Sequence, residues 1–253
     1  MVPWIDDDQP LPPTETALGR DSGAPGLLAA GGRLLPHRLE QAYRRGIFPW
    51  FSRGQPVLWW APDPRMVLQV ADFRVSRSLR RTLRRFATTE GCEIRVDSSF
   101  PEVIHACASA PRDGQSGTWI VPDMVNAYIL WHRQRRVHSV ETWIDGALVG
   151  GLYGVAIGRM FFGESMFARR DDASKIALAA LVAFCRERGI TAIDCQQNTR
   201  HLTSLGACEV PRAEFERHLQ RAVDLPDVVD WTYHPRHWRH LALGGEDPLP
   251  GTP

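Results

Sequence analysis

The spacing of apolar residues switches between a helical and a strand-like period along the chain. Apolar positions three or four residues apart are typical of amphipathic helices, and they predict helices over residues 36–45, 76–86, 122–136 and 172–188. Alternation of apolar and polar positions predicts strands, which we place at residues 139–144, 147–155, 160–165 and 191–196. The dipeptide Asp145-Gly146 between the first two strands is typical of a tight hairpin turn.

The order of these elements indicates the fold class. An antiparallel meander followed by a helix and one more strand predicts an α+β domain. Pro62 and Pro64 interrupt the pattern and mark a domain boundary near Asp63. We therefore expect four regions: a flexible lead-in (1–25), a small N-terminal domain (26–63), a larger domain (64–240) and a disordered tail (241–253).

The composition is that of a globular protein. The 253 residues, 43% hydrophobic and 23% charged, are enough to bury a sizeable core. The five cysteines include no pair at CxxC spacing, so we expect neither a disulfide framework nor a metal site, and His201 and Cys208 are interpreted as structural. No apolar run reaches the ~18 residues of a membrane helix, and the acidic, proline-rich start does not fit a signal peptide. These features predict a cytoplasmic protein.

Positive charge is concentrated in one predicted helix. The formal net charge of the chain is only +1, so there is no overall attraction to nucleic acid. The helix at residues 76–86 nevertheless carries Arg77, Arg80, Arg81, Arg84 and Arg85. Five arginines in nine positions favour contact with a phosphate backbone. The alternative is an ordinary solvated helix face.

Two polar residues end the last predicted strand. Because side chains alternate in a strand, Asp194 and Gln196 share one face, while Ile193 and Cys195 lie on the other. An aspartate there could accept a proton or orient an amine, and a glutamine could hold a carbonyl or the same amine. The alternative is a polar strand end that satisfies loop amides. The same alternation turns Cys195 away from Asp194, which disfavours a cysteine nucleophile.

A glutamate and two tryptophans are further candidates for substrate contacts. Glu164 lies in an apolar stretch between Phe161 and Met166, and a buried glutamate needs partners. It either positions a substrate or a catalytic neighbour, or lies exposed at a strand edge. Trp50 and Trp119 belong to aromatic motifs, and tryptophans can stack on a nucleobase. Core or domain-interface positions are the alternative for both tryptophans.

Taken together, several segments resemble the leucyl/phenylalanyl-tRNA–protein transferase family. The matching segments are AYRRGIFPWF (42–51), PVLWWAPDPR (56–65), GTWI (117–120), HSVETW (138–143), LVGGLYGV (148–155), FGESMF (162–167), ASKIAL (173–178), IDCQ (193–196) and SLGACEVPR (204–212). They cover roughly residues 26–215. So many matches in the same order are far more specific than any single motif.

The resemblance implies a fold and a reaction. It implies a small N-terminal domain and a C-terminal GNAT-like (acyl-CoA N-acyltransferase-like) domain, whose mixed, mainly antiparallel sheet is flanked by helices. It further implies transfer of leucine or phenylalanine, and less well methionine, from aminoacyl-tRNA to the α-amino group of proteins that begin with arginine or lysine. The product is a bacterial N-degron, a signal for protein degradation. The expected partners of the monomer are Leu-tRNA, Phe-tRNA and such acceptor proteins, and no cofactor is expected, because the ester is already activated.

The resemblance also implies roles for individual residues. Asp194 and Gln196 form the catalytic pair, and Glu164 assists them. Trp50 and Trp119 hold the 3′ adenosine of the tRNA, and the basic helix lies against the acceptor stem. The pocket for the transferred side chain consists of Leu152, Phe161, Met166, Leu178 and Leu181. The proton of the attacking amine passes either to Asp194 or to the terminal ribose hydroxyl, and the sequence leaves both open.

Two other functions are alternatives to the aminoacyl transfer that the resemblance implies. An acetyl-CoA N-acetyltransferase would present a glycine-rich pyrophosphate loop at a helix start, where this chain has two aspartates followed by Ala173 and Lys175. Capping is the better interpretation of those aspartates. A non-catalytic tRNA-binding protein would explain the arginine helix and the tryptophans. It would leave Asp194, Gln196 and Glu164 without a role.

Overall fold

The protein is described by a computed structural model, which covers residues 1–110 and 120–243. Its helices are α1 (Pro36–Tyr43), α2 (Arg77–Thr88), α3 (Phe100–Ser109), α4 (Pro122–Arg133), α5 (Ala173–Arg188), α6 (Arg200–Ser204) and α7 (Arg212–Val223). Its strands are β1 (Leu27–Ala30), β2 (Phe48–Pro49), β3 (Leu58–Trp60), β4 (Arg65–Gln69), β5 (Cys92–Val96), β6 (Val137–Ile144), β7 (Ala147–Ile157), β8 (Met160–Ala168), β9 (Ala192–Gln196) and β10 (Cys208–Val210). Short 3-10 helices lie at Thr14–Thr16, Val70–Asp72 and Pro235–Leu241.

All eight predicted elements are confirmed, with ends that differ by a few residues. The four predicted helices are α1, α2, α4 and α5, and the four predicted strands are β6 to β9. Local signals placed their ends well. Pro36 occupies the first turn of α1, and Gly189 ends α5 with a left-handed φ of 70°. Asp145 and Gly146, with φ of 52° and 73°, form the predicted turn between β6 and β7.

The predicted α+β fold is confirmed by the main sheet. Its strand order is β10-β4-β9-β8-β7-β6-β5, and neighbouring strands are antiparallel except for β8 and β9, which are parallel. The sequence pattern did not reveal β4 and β10, which complete the sheet at one edge. Four of the five residues of β4 are buried, so they show no alternation, and β10 is only three residues long.

Helices cover both faces of the main sheet. One hydrophobic cluster joins the sheet to α1, α3, α4 and α7. A second cluster joins the opposite face to α2, α5 and the C-terminal 3-10 helix. Ten consecutive residues of α5, from Ile176 to Cys185, are buried, and so is Ala173, which shows that this helix lies inside the domain. Within the described ranges, no helix is long and apolar enough to cross a membrane.

The N-terminal residues form a small second sheet with the order β1-β3-β2, which packs on the first cluster. Residues 1–25, expected as a flexible lead-in, pack against this sheet. Ile5 and Leu11 are buried, and the backbone N–H of Ile5 donates to the carbonyl of Ala30 at 2.8 Å. Composition suggested a loose segment because prolines and acids outnumber these apolar residues, but burying Ile5 and Leu11 is sufficient to fix it.

The C-terminal boundary also differs from the expectation. Leu241 and Leu243 are buried in the second cluster, so the ordered domain continues past residue 240. The remainder of the expected tail, residues 244–253, lies outside the described residues.

Candidate active site

A cavity opens where β8 and β9 separate. The two strands pair only at Phe161 with Ile193 and at Phe162 with Asp194, after which β8 continues paired with β7 alone. The space between them has a volume of about 380 Å³. Its walls include residues of both hydrophobic clusters, so the cavity runs from one face of the sheet to the other.

Glu164 enters this cavity because β8 bulges at that residue. The register between β7 and β8 pairs Tyr153 with Ser165 and Gly154 with Gly163, so Glu164 has no partner across the ladder. A bulge re-aims the side chain of the extra residue. Gly154 is needed opposite the bulge, because a Cβ there would lie 2.3 Å from the carbonyl oxygen of Phe162.

The Glu164 carboxylate is held by hydrogen bonds from three side chains. Tyr43 donates its hydroxyl to Oε1 at 2.6 Å, and Gln196 donates Nε2 to the same oxygen at 2.8 Å. The Tyr128 hydroxyl lies 3.3 Å from Oε2 and also contacts the Tyr43 hydroxyl. Glu164 is only 9% exposed. Burial raises its pKa to about 7, against the lowering effect of the Tyr43 hydrogen bond.

Asp194 lies behind the cavity, in a buried ion pair with Arg65. Arg65 donates Nε to Oδ1 at 2.8 Å and Nη2 to Oδ2 at 2.6 Å, and both side chains are almost fully buried. The guanidinium of Arg65 also lies over the rings of Phe48 and Phe215. Both Asp194 oxygens are therefore engaged, and Asp194 is not among the cavity-lining residues. This geometry suits a structural acceptor better than a mobile base.

Gln196 connects Asp194 to the cavity. Its backbone N–H donates to Oδ1 of Asp194 at 2.8 Å, and this contact supports the left-handed φ of 61° at Gln196. Gln196 is 7% exposed, with Nε2 committed to Glu164. Its amide oxygen makes no hydrogen bond with any described residue and lies at the cavity wall. Ile193 and Cys195 pack on the second cluster, as the alternation predicts, but they line the cavity together with Gln196, whereas Asp194 does not.

The far end of the cavity is apolar. All residues predicted for the side-chain pocket line it: Leu152, Phe161, Met166, Leu178 and Leu181. Trp50 also lines the cavity, and Trp60 packs on its ring and donates Nε1 to its carbonyl at 2.6 Å. Trp119 lies outside the described residues. The cavity thus joins an apolar end to a polar junction and an aromatic side chain.

The size of the apolar end should control which side chain fits. For the reaction that the family resemblance implies, we expect Leu178→Phe to lower the ratio of phenylalanine to leucine transferred about 10-fold or more, because an extra ring occupies space that a bulky side chain needs. A competition between the two aminoacyl-tRNAs measures this ratio directly. Leu219→Phe places the same ring in the first cluster, away from the cavity, and should leave the ratio unchanged. A ratio unaffected by Leu178→Phe would contradict the pocket assignment.

Three arginines of the basic helix form an exposed row. Arg77, Arg81 and Arg85 are four residues apart along α2 and therefore lie on one face. None of the three makes an ion pair with a side chain in the described ranges. This row is available for phosphate contact.

The other two arginines of the helix bind the C-terminal segment. Arg80 donates Nη1 to the carbonyl of Ala242 at 2.6 Å, and Arg84 donates Nε to the carbonyl of Leu243 at 2.6 Å. The ring of Trp238 packs edge-on against Phe86 beside them. These arginines therefore attach the end of the chain to α2.

The two sets of arginines should differ in their effect on tRNA binding. We expect Arg81→Ala to weaken binding and to reduce the slope of log K against log salt by about 1, as for one lost phosphate contact. Arg84→Ala is the matched control on the same helix, and it should change the slope less because its guanidinium binds a carbonyl. Filter binding over a salt series gives both slopes. Equal slopes for both variants would contradict the exposed-row assignment.

Asp172 stands at the N-cap position of α5, but its side chain makes no capping hydrogen bond, so the capping expected from the sequence is wrong; its carboxylate binds neighbouring side chains instead. Asp172 adopts a left-handed φ of 61° and forms an ion pair with Lys175 at 2.7 Å, and it also accepts a hydrogen bond from Thr82. The hydrogen bond from Lys175 holds the pKa of Asp172 below its usual range. A carboxylate at this helix start repels a pyrophosphate group, which weighs against the acetyl-CoA rival.

Two further observations concern possible metal ligands among the described residues and the cysteine in the cavity wall. Within residues 1–110 and 120–243, no group of three or more His, Cys, Asp or Glu side chains could hold a metal ion. Cys195 lines the cavity, but burial and the nearby Asp194 raise its pKa to about 12, so it carries no thiolate near neutral pH.

Several site residues were missed by the sequence analysis. Arg65 precedes an apolar run, and a charge at the start of a buried strand was a usable signal for a buried partner. Tyr43 and Tyr128 occupy apolar positions of their helices and gave no signal beyond core packing. His201, interpreted as structural, lines the cavity, and burial lowers its pKa.

The chain matches known proteins over nearly its whole length. The family model for leucyl/phenylalanyl-tRNA protein transferase matches residues 67–220, and the model for the N-terminal domain of that family matches residues 32–63. A leucyl/phenylalanyl-tRNA–protein transferase from Leptothrix cholodnii is 63% identical over 256 residues, covering 100% of this chain and 98% of the relative. One from Methylibium petroleiphilum is 61% identical over 250 residues, covering 98% and 94%. Among solved structures, a GCN5-related N-acetyltransferase from Kribbella flavida matches at 15% identity with a TM-score of 0.34, covering 68% of this chain and 59% of that chain.

Proposed function

This chain belongs to the leucyl/phenylalanyl-tRNA–protein transferase family, and from that premise we propose that its reaction takes place in the cavity between β8 and β9, at Glu164 and Gln196. The protein is an aminoacyltransferase that moves leucine or phenylalanine from aminoacyl-tRNA to a protein. The observation that carries the proposal is the hydrogen-bonded pair of polar side chains at the junction of an otherwise apolar cavity.

Glu164 and Gln196 bind the α-amine of the acceptor. The free amide oxygen of Gln196 and Oε2 of Glu164 are acceptors at the cavity wall, as a nucleophilic amine requires. The amine nitrogen forms a bond to the ester carbonyl carbon, gives a proton to Glu164, and the carbon–oxygen bond to the ribose breaks as that oxygen gains a proton. A typical α-amine has a pKa of about 7.7–8.0, close to the value of about 7 for Glu164, so the proton transfer is well matched.

Asp194 acts through Gln196 in this proposal. Its two oxygens bind Arg65, and one of them also holds the backbone N–H of Gln196. Asp194 therefore fixes the turn that places the Gln196 side chain beside Glu164. The terminal ribose hydroxyl of the tRNA is the alternative proton acceptor, and a substrate that lacks it distinguishes the two routes.

The apolar end of the cavity receives the transferred side chain. Leucine and phenylalanine lie against Leu152, Leu178 and Leu181, where no polar group has to be left unpaired. The 3′ adenosine contacts Trp50, and Trp119 is proposed as its second contact from the sequence alone. The exposed row of arginines on α2 contacts the acceptor stem.

The acceptors are proteins with N-terminal arginine or lysine, and the product is an N-degron. This part of the proposal rests on the family resemblance, as do the monomeric state and the minor transfer of methionine. A cytoplasmic location follows from the substrates, because charged tRNA and its acceptor proteins are there.

The proposed function is tested by transfer of radiolabelled leucine from Leu-tRNA to model proteins. We expect label in acceptors that begin with arginine or lysine and none in an otherwise identical acceptor that begins with alanine. Binding of the tRNA is measured in parallel. Intact tRNA binding without transfer to any acceptor would overturn the enzymatic proposal in favour of a tRNA-binding role.

A further inference from the structure

Two buried tyrosines bind Glu164 without reaching the cavity. Tyr43 is 1% exposed and Tyr128 is 0% exposed, and neither lines the cavity walls. Tyr43 lies at the end of α1 in the N-terminal region, whereas Tyr128 lies on α4 of the larger domain. Neither hydroxyl can contact a substrate, so any effect on the reaction must act through Glu164.

The hydroxyl protons of this pair point toward the carboxylate. A carboxylate only accepts hydrogen bonds, so Tyr43 donates to Oε1. The Tyr128 hydroxyl then donates its proton either to the Tyr43 oxygen or to Oε2 of Glu164. Burial and the nearby Glu164 charge raise the pKa of both tyrosines, so both hydroxyls stay protonated.

The two carboxylate oxygens are consequently unequal. Oε1 accepts short hydrogen bonds from Tyr43 and Gln196, which together fix its position. Among the described residues, Oε2 has only the 3.3 Å contact with Tyr128, and it keeps capacity for another donor. An amine in the cavity would therefore find an oriented carboxylate with one oxygen available.

We infer that Tyr43 and Tyr128 are positioning residues for the transfer reaction: their linked hydroxyls hold Oε1 of Glu164, favour its ionised form and leave Oε2 for the acceptor amine. The inference rests on the role proposed above for Glu164. It also gives the N-terminal region a part in the chemistry, because Tyr43 reaches the site from α1.

The charges around Glu164 determine the sign of the effect. Burial and the Asp194 charge raise the pKa of Glu164, while hydrogen bonds from Tyr43, Tyr128 and Gln196 lower it. The Asp194 charge is offset by its ion pair with Arg65 on β4. Removing a tyrosine hydroxyl removes a lowering contribution, so the pKa of Glu164 rises and its ionised fraction near pH 7 falls.

The test measures single-turnover transfer against pH for Tyr43→Phe, Tyr128→Phe and the double variant. We expect the rise in rate with pH to move upward by about one unit for Tyr43→Phe and further for the double variant. At pH values below the wild-type midpoint, the transfer rate should fall about tenfold, and at high pH it should fall only a little. The affinity for aminoacyl-tRNA should be unchanged. Tyr233→Phe is the matched control, since that buried hydroxyl lacks a hydrogen-bond partner in the described residues and lies away from the site. A rate lowered equally at every pH would overturn the inference in favour of a purely structural role.

An infrared titration of the Glu164 carboxyl separates this inference from the proposed function. The protonated carboxyl band is identified by its loss in Glu164→Gln, and its midpoint is compared between wild type and Tyr43→Phe. An upward shift supports the inference even if no acceptor is aminoacylated, in which case only the proposed function fails. Normal transfer with an unshifted carboxyl midpoint would overturn the inference alone.

Discussion

Replacing Arg65 with methionine should lower the free energy of unfolding by about 3–5 kcal/mol, because the Asp194 carboxylate would remain buried without a countercharge. The carboxylate would also lose two hydrogen bonds that no water can replace at 0% exposure. Transfer activity should be lost with the fold of the site, since Asp194 would no longer hold the backbone of Gln196. Denaturant unfolding at neutral pH measures the loss of stability.

A double variant separates stability from chemistry. In Arg65→Met with Asp194→Leu, both charges are gone, so most of the lost stability should return. Transfer should nevertheless stay low, because leucine cannot accept the N–H of Gln196. A double variant that is no more stable than Arg65→Met alone would show that the ion pair is not the reason for the destabilisation.

Replacing Glu164 with glutamine should reduce single-turnover transfer by ~10²–10⁴-fold, the usual contribution of a general base. The amide has nearly the same shape, and its oxygen can still accept from Tyr43 and Gln196, but its NH2 group replaces Oε2 and cannot take a proton from the amine. Binding of Leu-tRNA should change little, because the contacts proposed for the tRNA are made by Trp50, the apolar pocket and the arginines of α2 rather than by Glu164. Rapid-quench measurement of transfer and filter binding of the tRNA give the two quantities.

The matched control is Glu141→Gln. Glu141 is another fully buried glutamate, and it accepts hydrogen bonds from Ser99, Ser139 and Trp143 away from the cavity. That variant should lose stability but keep its transfer rate per folded molecule. If Glu164→Gln kept transfer within a few-fold while a tRNA ending in 2′-deoxyadenosine lost it, the ribose hydroxyl would be the proton acceptor.

The core of the fold was predictable from the sequence because its signals are local. The turn at Asp145 and Gly146, the proline at the start of α1 and the glycine after α5 fix their elements through backbone dihedral preferences. The helix α5 was recognisable because a helix buried on most sides is apolar over most of its length. No local sequence signal marks β4 or the packing of residues 1–25, because both depend on contacts with distant parts of the chain.

The candidate site also combines features that the sequence predicts with features that only the folded structure shows. The sequence by itself determined which polar residues are unusual, since Glu164, Asp194 and Gln196 interrupt apolar stretches where burial makes a polar group costly. Only the tertiary structure decided what each of them does. The bulge in β8 directs the Glu164 side chain into the cavity. Arg65, which is 129 residues from Asp194 in sequence, donates hydrogen bonds to both oxygens of that aspartate. Tyr43, 121 residues from Glu164, donates to the carboxylate. Hydrogen bonds of this kind join residues that no local period relates, so the different roles proposed for Asp194 and Glu164 follow only from the folded chain.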